Sequence, residues 1–234
     1  SHLYSAMDAI QLKAMILAAG RGLRMKPLTD KMPKPLLKVD GVSLLERHIF
    51  RLKEAGFKDL IINVSYLADQ IIDLVNNVSF GVNIRISFED EPLETAGGVV
   101  KALPFLGDFP FLLINADIWT DFEFRKIFTI DLNEDTLAHL VLVKNPPEHS
   151  SGDFELDNFI VNKVQGGESL TYTGIGVYRP CLFSPYNQSV GPLRPILNSA
   201  IQGKQVTGQI FNGRWHDIGT PDRFYALNNA LNRA

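Results

Sequence analysis

The chain has 234 residues, 45% of them hydrophobic and 21% charged, enough apolar material for one sizeable core or two closely joined lobes. A net charge of −3 and a pI near 5.9, with no basic face outside one stretch, exclude a general nucleic-acid binder and favour a small anionic metabolite. No apolar run reaches the roughly 18 residues of a membrane span, so no membrane partner is expected. The single cysteine, Cys181, permits no internal disulfide, and the five histidines lack zinc-ligand spacing, which points to a reducing, cytoplasmic setting. Residues 1–6 precede Met7 and read as a cloning remnant.

The first predicted element is a strand over Ala14 to Ala19, which empties into a loop with glycines at Gly20 and Gly22. Between Arg21 and Lys38 stand six cations (Arg21, Arg24, Lys26, Lys31, Lys34 and Lys38) against the single acid Asp30, so something anionic is expected there. Glycines let backbone N–H groups approach phosphate oxygens, and Pro27, Pro33 and Pro35 forbid a helix through Met25 to Leu36, leaving a rigid, extended loop that carries Arg24 and Lys34. The dinucleotide fingerprint would need a third glycine where Met25 stands and a helix where Pro27 forbids one. A Walker A loop would need Gly-Lys-Ser/Thr, which Arg24-Met25-Lys26 does not supply.

Apolar spacing predicts a helix over Leu44 to Ala55, with Ser43 as N-cap and Gly56 as terminator, then a strand over Leu60 to Val64, a helix over Tyr66 to Val75 and a strand over Val82 to Phe88. This alternation is that of a parallel sheet covered by helices, whose ligands gather beyond the carboxyl ends of the strands. Glu89 to Gly98 reads as a loop closed by Gly97 and Gly98 before a short helix over Val99 to Leu106, where a flat base can lie against backbone. Phe109 to Ile118 is an apolar strand releasing Asn115 and Asp117 at its carboxyl end. A carboxylate there is costly unless it caps the next turn, is paired or holds a metal.

A short helix is expected at Phe122 to Phe128 and a strand at Leu137 to Lys144; the turn-rich Asn145 to Asp153 then marks the boundary between the two lobes, with His149 a loop residue. Strands at Phe154 to Leu156, Phe159 to Val164 and Leu170 to Tyr178 form a small antiparallel excursion, and Gly174 and Gly176 inside the last imply close approach to its backbone. A helix over Pro192 to Gln202 and a strand over Lys204 to Phe211 lead to a second acid, Asp217, flanked by Trp215 and His216 as rim or core residues. A final helix starts at Pro221 behind the cap Thr220.

LAAGRGLRMKPLTDKMPKPLL resembles the signature loop of the sugar-1-phosphate nucleotidylyltransferases, roughly G-x-G-T-R, a spacer, then P-K. Gly20, Gly22, Arg24, Pro33 and Lys34 match, and Leu23 replaces the usual threonine. EPLETAGG is similar to the family's base-recognition loop E-P-L-G-T-A-G apart from Glu94, Ala116-Asp117 stands for its G-D motif, and W-x-D-I-G-T-P resembles its second metal motif. The resemblance implies a Rossmann-like α/β fold, a mixed and mainly parallel sheet flanked by helices with a small antiparallel acceptor-binding lobe. It divides the chain into a nucleotide-binding lobe over 13–144 and a sugar-phosphate-binding lobe over 145–234, joined as one domain. It also implies attack by a sugar 1-phosphate on the α-phosphorus of a nucleoside triphosphate, with release of pyrophosphate.

By the same resemblance Arg24 and Lys34 are catalytic, and Leu17, Ala18, Ala19, Gly20, Arg21, Gly22, Glu94, Gly97 and Gly98 bind nucleotide. Asn115, Thr173 and Gly174 bind the sugar phosphate, and Asp117 and Asp217 converge on Mg²⁺. Strings such as TYTGIGVYRP and RWHDIGTPDR are most similar to the short bacterial N-acetylmuramate 1-phosphate uridylyltransferases of cell-wall recycling. That implies UTP and N-acetylmuramic acid α-1-phosphate as substrates and no appended β-helix or regulatory domain. Mannose-1-phosphate guanylyltransferase and glucose-1-phosphate thymidylyltransferase are the rivals within the family; a sugar-nucleotide-binding module without turnover is the rival outside it.

Overall fold

The computed structural model describes residues 12–186 and 189–234; the expected remnant at residues 1–6 lies outside them. In chain order the elements are β1 (Lys13–Leu17), β2 (Lys38–Val39), β3 (Val42–Ser43), α1 (Leu44–Ala55), β4 (Asp59–Val64), α2 (Ala68–Asn77), β5 (Asn83–Phe88), α3 (Glu94–Leu106), β6 (Phe111–Asn115) and β7 (Ile118–Thr120). They continue with β8 (Ala138–Lys144), β9 (Phe154–Asp157), β10 (Ile160–Lys163), β11 (Leu170–Tyr178), α4 (Arg194–Gln202), β12 (Val206–Ile210), β13 (Trp215–Asp217) and α5 (Pro221–Asn232).

One nine-stranded sheet organises the chain, in the order β5-β4-β1-β6-β11-β8-β12-β10-β9. Strands β5, β4, β1 and β6 run parallel, β11 is antiparallel to both β6 and β8, and β12 is parallel to β8. The mixed, mainly parallel sheet flanked by helices is therefore as expected. Strand β11 follows the turn-rich 145–153 segment in sequence yet lies between β6 and β8, which weaves the two halves of the chain into a single sheet.

Both faces of the sheet are covered, so its central strands are apolar without interruption. In β1, Ala14 and Ile16 enter one core with Leu45, Ile49 and Leu52 of α1, whereas Met15 enters the opposite core with Val99 and Ala102 of α3 and Leu197 of α4. The α1 boundaries coincide with the predicted ones because a capping box closes the start, Ser43 with Glu46, and Gly56 takes φ +111° at the end. Several elements differ from expectation. The turn at Leu67, φ +50°, delays α2 by two residues, and the strand predicted over Phe109 to Ile118 breaks at Ala116-Asp117 into β6 and β7. Helix α3 begins at Glu94, five residues early, so Gly97 and Gly98 lie in a helix rather than a loop.

Candidate active site

The glycine loop leaves β1 at the carboxyl end of the parallel strands, and a third, small core fixes it there. Met25, the residue that displaces a third glycine, is fully buried with Leu37, Trp119, Ile218 and Phe224, so the loop is pinned to the start of α5 and to β7. Gly22 takes φ +62°, and a Cβ on it would lie 3.1 Å from Thr29 Cγ2 and 3.3 Å from Lys34 Cβ. Both the conformation and the space demand glycine. Thr29 closes the loop by donating to Gly22 O at 2.7 Å. The stretch is not uniformly extended: single 3₁₀ turns form at Leu23–Met25 and Lys34–Leu36, the second with Pro35 inside its first turn, where a missing N–H breaks no bond.

The loop roofs a cavity of about 470 Å³ lined by Leu17 to Met25, Lys34, Pro35, Asn63, Glu89, Pro92, Glu94, Thr95 and Asn115 to Asp117. A second cavity, about 360 Å³, is lined by Pro146, Glu148, His149, Asp153, Thr171 to Thr173, Trp215, Asp217 and Arg223. Arg24, Asn115 and Asp117 line both. These volumes suit small-molecule ligands. Arg24 is exposed and has no ion-pair or hydrogen-bond partner among the described residues, an uncommitted cation at the junction of the two cavities.

The acids are brought together by a ribbon that neither segment announces alone. Strand β13 pairs antiparallel with β7, Asp217 opposite Ile118, and Ile218 N donates to Asp117 O at 3.1 Å. Lys34, its side chain only 11% exposed, places Nζ 2.8 Å from Asp117 Oδ2. Burial, and then the charge of Asp117, push the Asp217 carboxyl above its usual range against the pull of Arg223, Lys34 and Arg24. Two half-buried carboxylates on adjoining segments, each lining a cavity, form an oxygen donor set that suits a divalent cation of the Mg²⁺ type.

Sequence reasoning missed a buried polar relay on the nucleotide side. Asn63 Oδ1 accepts from Ala18 N at 2.7 Å, Asn63 Nδ2 donates to Glu89 Oε2 at 3.0 Å, and Glu89 Oε1 accepts from Leu93 N at 2.9 Å. Asn63 and Glu89 are 3% and 1% exposed, so the two bonds made by Asn63 are shielded from water, while that to Leu93 N is part-buried. The relay ties the glycine loop to the segment before α3. It also explains Gly98, where a Cβ would lie 2.9 Å from Asn63 Nδ2 and 3.0 Å from Glu89 Oε2. A Cβ on Gly97 would lie 2.5 Å from Ser189 O. Both glycines are buried and neither lines the cavity; their smallness serves packing, and the cavity wall is made by Pro92, Glu94 and Thr95. Glu94 takes φ +61°, a left-handed position for which the glycine of the resembling motif would be unstrained. The only sequence signs of the relay were an asparagine and a glutamate at the ends of adjacent strands.

On the acceptor side Thr173 lines the cavity, but its hydroxyl donates to Val141 O at 2.7 Å while its carbonyl accepts from Trp215 Nε1 at 2.9 Å. Gly174, φ +80°, lines neither cavity; a Cβ there would lie 2.5 Å from Asn115 Nδ2, so the close approach expected of this glycine is made by the Asn115 side chain. Arg21 lines the first cavity, beside the glycine loop, and pairs with Glu91. Trp215 and His149, read as rim and loop residues, both line the acceptor cavity.

A glycine loop beyond a parallel strand, with cations, paired acids and two adjoining cavities, defines an α/β enzyme that transfers a nucleotidyl group. The sequence profile described as "Nucleotidyl transferase" matches residues 13–165, and the chain belongs to that family. It is 48% identical over 216 residues to an N-acetylmuramate alpha-1-phosphate uridylyltransferase of Neisseria meningitidis serogroup B, covering 89% of this chain and 94% of that one. It is 28% identical to a mannose-1-phosphate guanyltransferase of Yarrowia lipolytica, of whose length it spans 62%. In fold it matches the crystal structure of HddC from Yersinia pseudotuberculosis complexed with GMP-PN, with a TM-score of 0.77 at 23% identity over 94% of this chain and 99% of that one.

Proposed function

We propose that the protein joins UTP to N-acetylmuramic acid α-1-phosphate, releasing pyrophosphate, as a cytoplasmic step of peptidoglycan recycling. The observation that carries this reading is the pair of cavities meeting at Arg24, Asn115 and Asp117, which allows two phosphorylated substrates to meet end to end. The choice of base and sugar rests on the similarity to the Neisseria meningitidis enzyme. Residues 13–144 form the nucleotide lobe, and residues 145–234 supply most of the acceptor lobe.

Both reactants are polyanions and the attacking phosphate oxygen is already charged, so the protein's work is neutralisation and alignment, with no general base required. Backbone N–H groups of Ala19 to Gly22 cradle the triphosphate, and Arg24, with no ion-pair or hydrogen-bond partner among the described residues, takes the β and γ phosphates of the departing pyrophosphate. Lys34 exchanges its contact with Asp117 for the α-phosphate as the reactants arrive. Glu94 and Thr95 border the base, and Asn115, braced on Gly174, orients the acceptor phosphate. Asp117 and Asp217 would hold Mg²⁺, which when bound supplies Lewis-acid polarisation of the phosphate oxygens.

Pyrophosphate release measured with Mg²⁺, each of the four common triphosphates and a panel of sugar 1-phosphates tests the proposal. Turnover is expected with UTP and N-acetylmuramic acid α-1-phosphate. Preference for GTP with mannose 1-phosphate, or for dTTP with glucose 1-phosphate, would replace that assignment, and silence across the panel would make the protein a binder.

A further inference from the structure

Two arginines and a histidine line the acceptor cavity, Arg24, Arg223 and His149, and they are not equivalent. Arg24 stands at the wall shared with the nucleotide cavity, where phosphates meet. His149 faces Asp153 Oδ1 at 3.1 Å, and Asp153 is itself held by Arg194 at 3.3 Å and by Tyr172 N at 2.9 Å. Arg223 is loosely held. Its Nη1 lies 3.3 Å from Asp217 Oδ2 and 3.5 Å from Glu148 Oε1, and its Nε 3.4 Å from Thr220 Oγ1, all near the outer limit of a hydrogen bond. A guanidinium is a planar fork that fits both oxygens of one carboxylate, yet here it meets single oxygens of two different residues, and Nη2 has no hydrogen-bond partner among the described residues. The fork is therefore charged, 24% exposed and without its matching bidentate anion.

The partner on the outer side, Glu148, sits in a 3₁₀ turn of the 145–153 segment and is 39% exposed, so it can be displaced at little cost. We propose that Arg223 recognises a carboxylate on the acceptor sugar, and that Glu148 holds the guanidinium in position until an acidic sugar 1-phosphate takes its place. The inference rests on the acceptor being N-acetylmuramic acid α-1-phosphate. The lactyl ether of that sugar puts a carboxylate on O3, one ring-width from the phosphate on O1. Arg223 Nη1 stands between Asp217 and Glu148, so a carboxylate that takes the place of Glu148 meets the fork beside the acid expected to face the phosphate. A neutral sugar offers the fork only hydroxyls, which leaves a charge poorly matched.

The test compares kcat/KM with UTP for N-acetylmuramic acid α-1-phosphate and for N-acetylglucosamine α-1-phosphate, the same ring without the lactyl group. Arg223→Gln is expected to lower the ratio of the two about tenfold to a hundredfold, mainly through KM for the acidic sugar, as befits loss of a charge-assisted pair. Arg223→Lys keeps the charge without the fork and is expected to fall between, so it carries the test if the glutamine variant does not fold. Glu148→Gln removes the competing carboxylate and is expected to lower KM for the acidic sugar severalfold. A ratio unchanged in both arginine variants, with both sugars losing equally, overturns the proposal and leaves Arg223 as a support for Asp217. A wild-type enzyme that ignores the acidic sugar but uses another overturns the functional reading, and this inference falls with it.

Discussion

The two cavities of this protein are built in opposite ways. The cavity proposed for the nucleotide lies at the carboxyl ends of β1, β4, β5 and β6, braced by the hydrogen-bonded network Ala18–Asn63–Glu89–Leu93. The cavity proposed for the acceptor is lined by residues of β11, the 145–153 segment, β13 and α5, and there Arg223 meets Glu148 and Asp217 in long, part-exposed pairs at 3.5 and 3.3 Å. A wall braced by a buried network suits what every triphosphate shares. Exchangeable side chains on loops suit what distinguishes one sugar from another, so altered acceptor preference is expected from changes near Glu148 and Arg223.

The sharpest way to break the comparison is beside the wall the cavities share, at one residue from each cavity. Lys34→Ala and Asp217→Ala are each expected to reduce kcat about a hundredfold or more, the usual consequence of losing one preorganised charge, while circular dichroism shows an unchanged fold. Near-wild-type turnover in either variant would refute the assignment for both sides at once. Next in size is Glu89→Ala, which leaves the buried Asn63 Nδ2 and the part-buried Leu93 N without their partner. It is expected to cost about 1–3 kcal/mol and lower Tm by several degrees. It should raise KM for the triphosphate well before KM for the sugar phosphate. Equal effects on both would show that the relay serves stability alone. Gly98→Ala pushes a Cβ into the same relay and is expected to imitate Glu89→Ala more mildly, which a kinetic comparison of the two variants would check.

A further difference concerns pH. His48, fully buried in α1 beneath Ala116, is held down to about 4 first by burial and then by the charge of Arg47. Its folded pKa lies below the ordinary histidine value near 6.5, so the unfolded chain binds the proton first. The corresponding stability is present above about pH 6.5 and is lost as pH falls toward about 4. Thermal melts of His48→Gln and wild type should therefore converge or cross through that window; parallel curves would remove His48 as the cause. The smallest effect expected is on the acceptor side, where Trp215→Phe loses only the bond to Thr173 O. A severalfold rise in KM for the sugar phosphate, with the triphosphate KM little changed, is the outcome to look for.

What could be read from the residues alone was local. The glycine loop with its cations, the capped helix over Leu44 to Ala55, the βαβ rhythm and the motif resemblance all rest on spacing within about a dozen positions, where periodicity and capping act directly. What required the fold was long-range. Strand β11 crosses back between β6 and β8, β13 lays Asp217 against Ile118, and Asn63 reaches Glu89 under Gly98, each joining segments whose sequences say nothing of one another. The glycine pair at Gly97 and Gly98 shows the limit most plainly: two glycines after a strand read as a loop, but the relay and the Ser189 carbonyl need a helix packed too close for any side chain. Local spacing identified the residues that carry charge toward phosphate, and tertiary packing decided which of them face each other, because pairing across a sheet depends on register between distant strands.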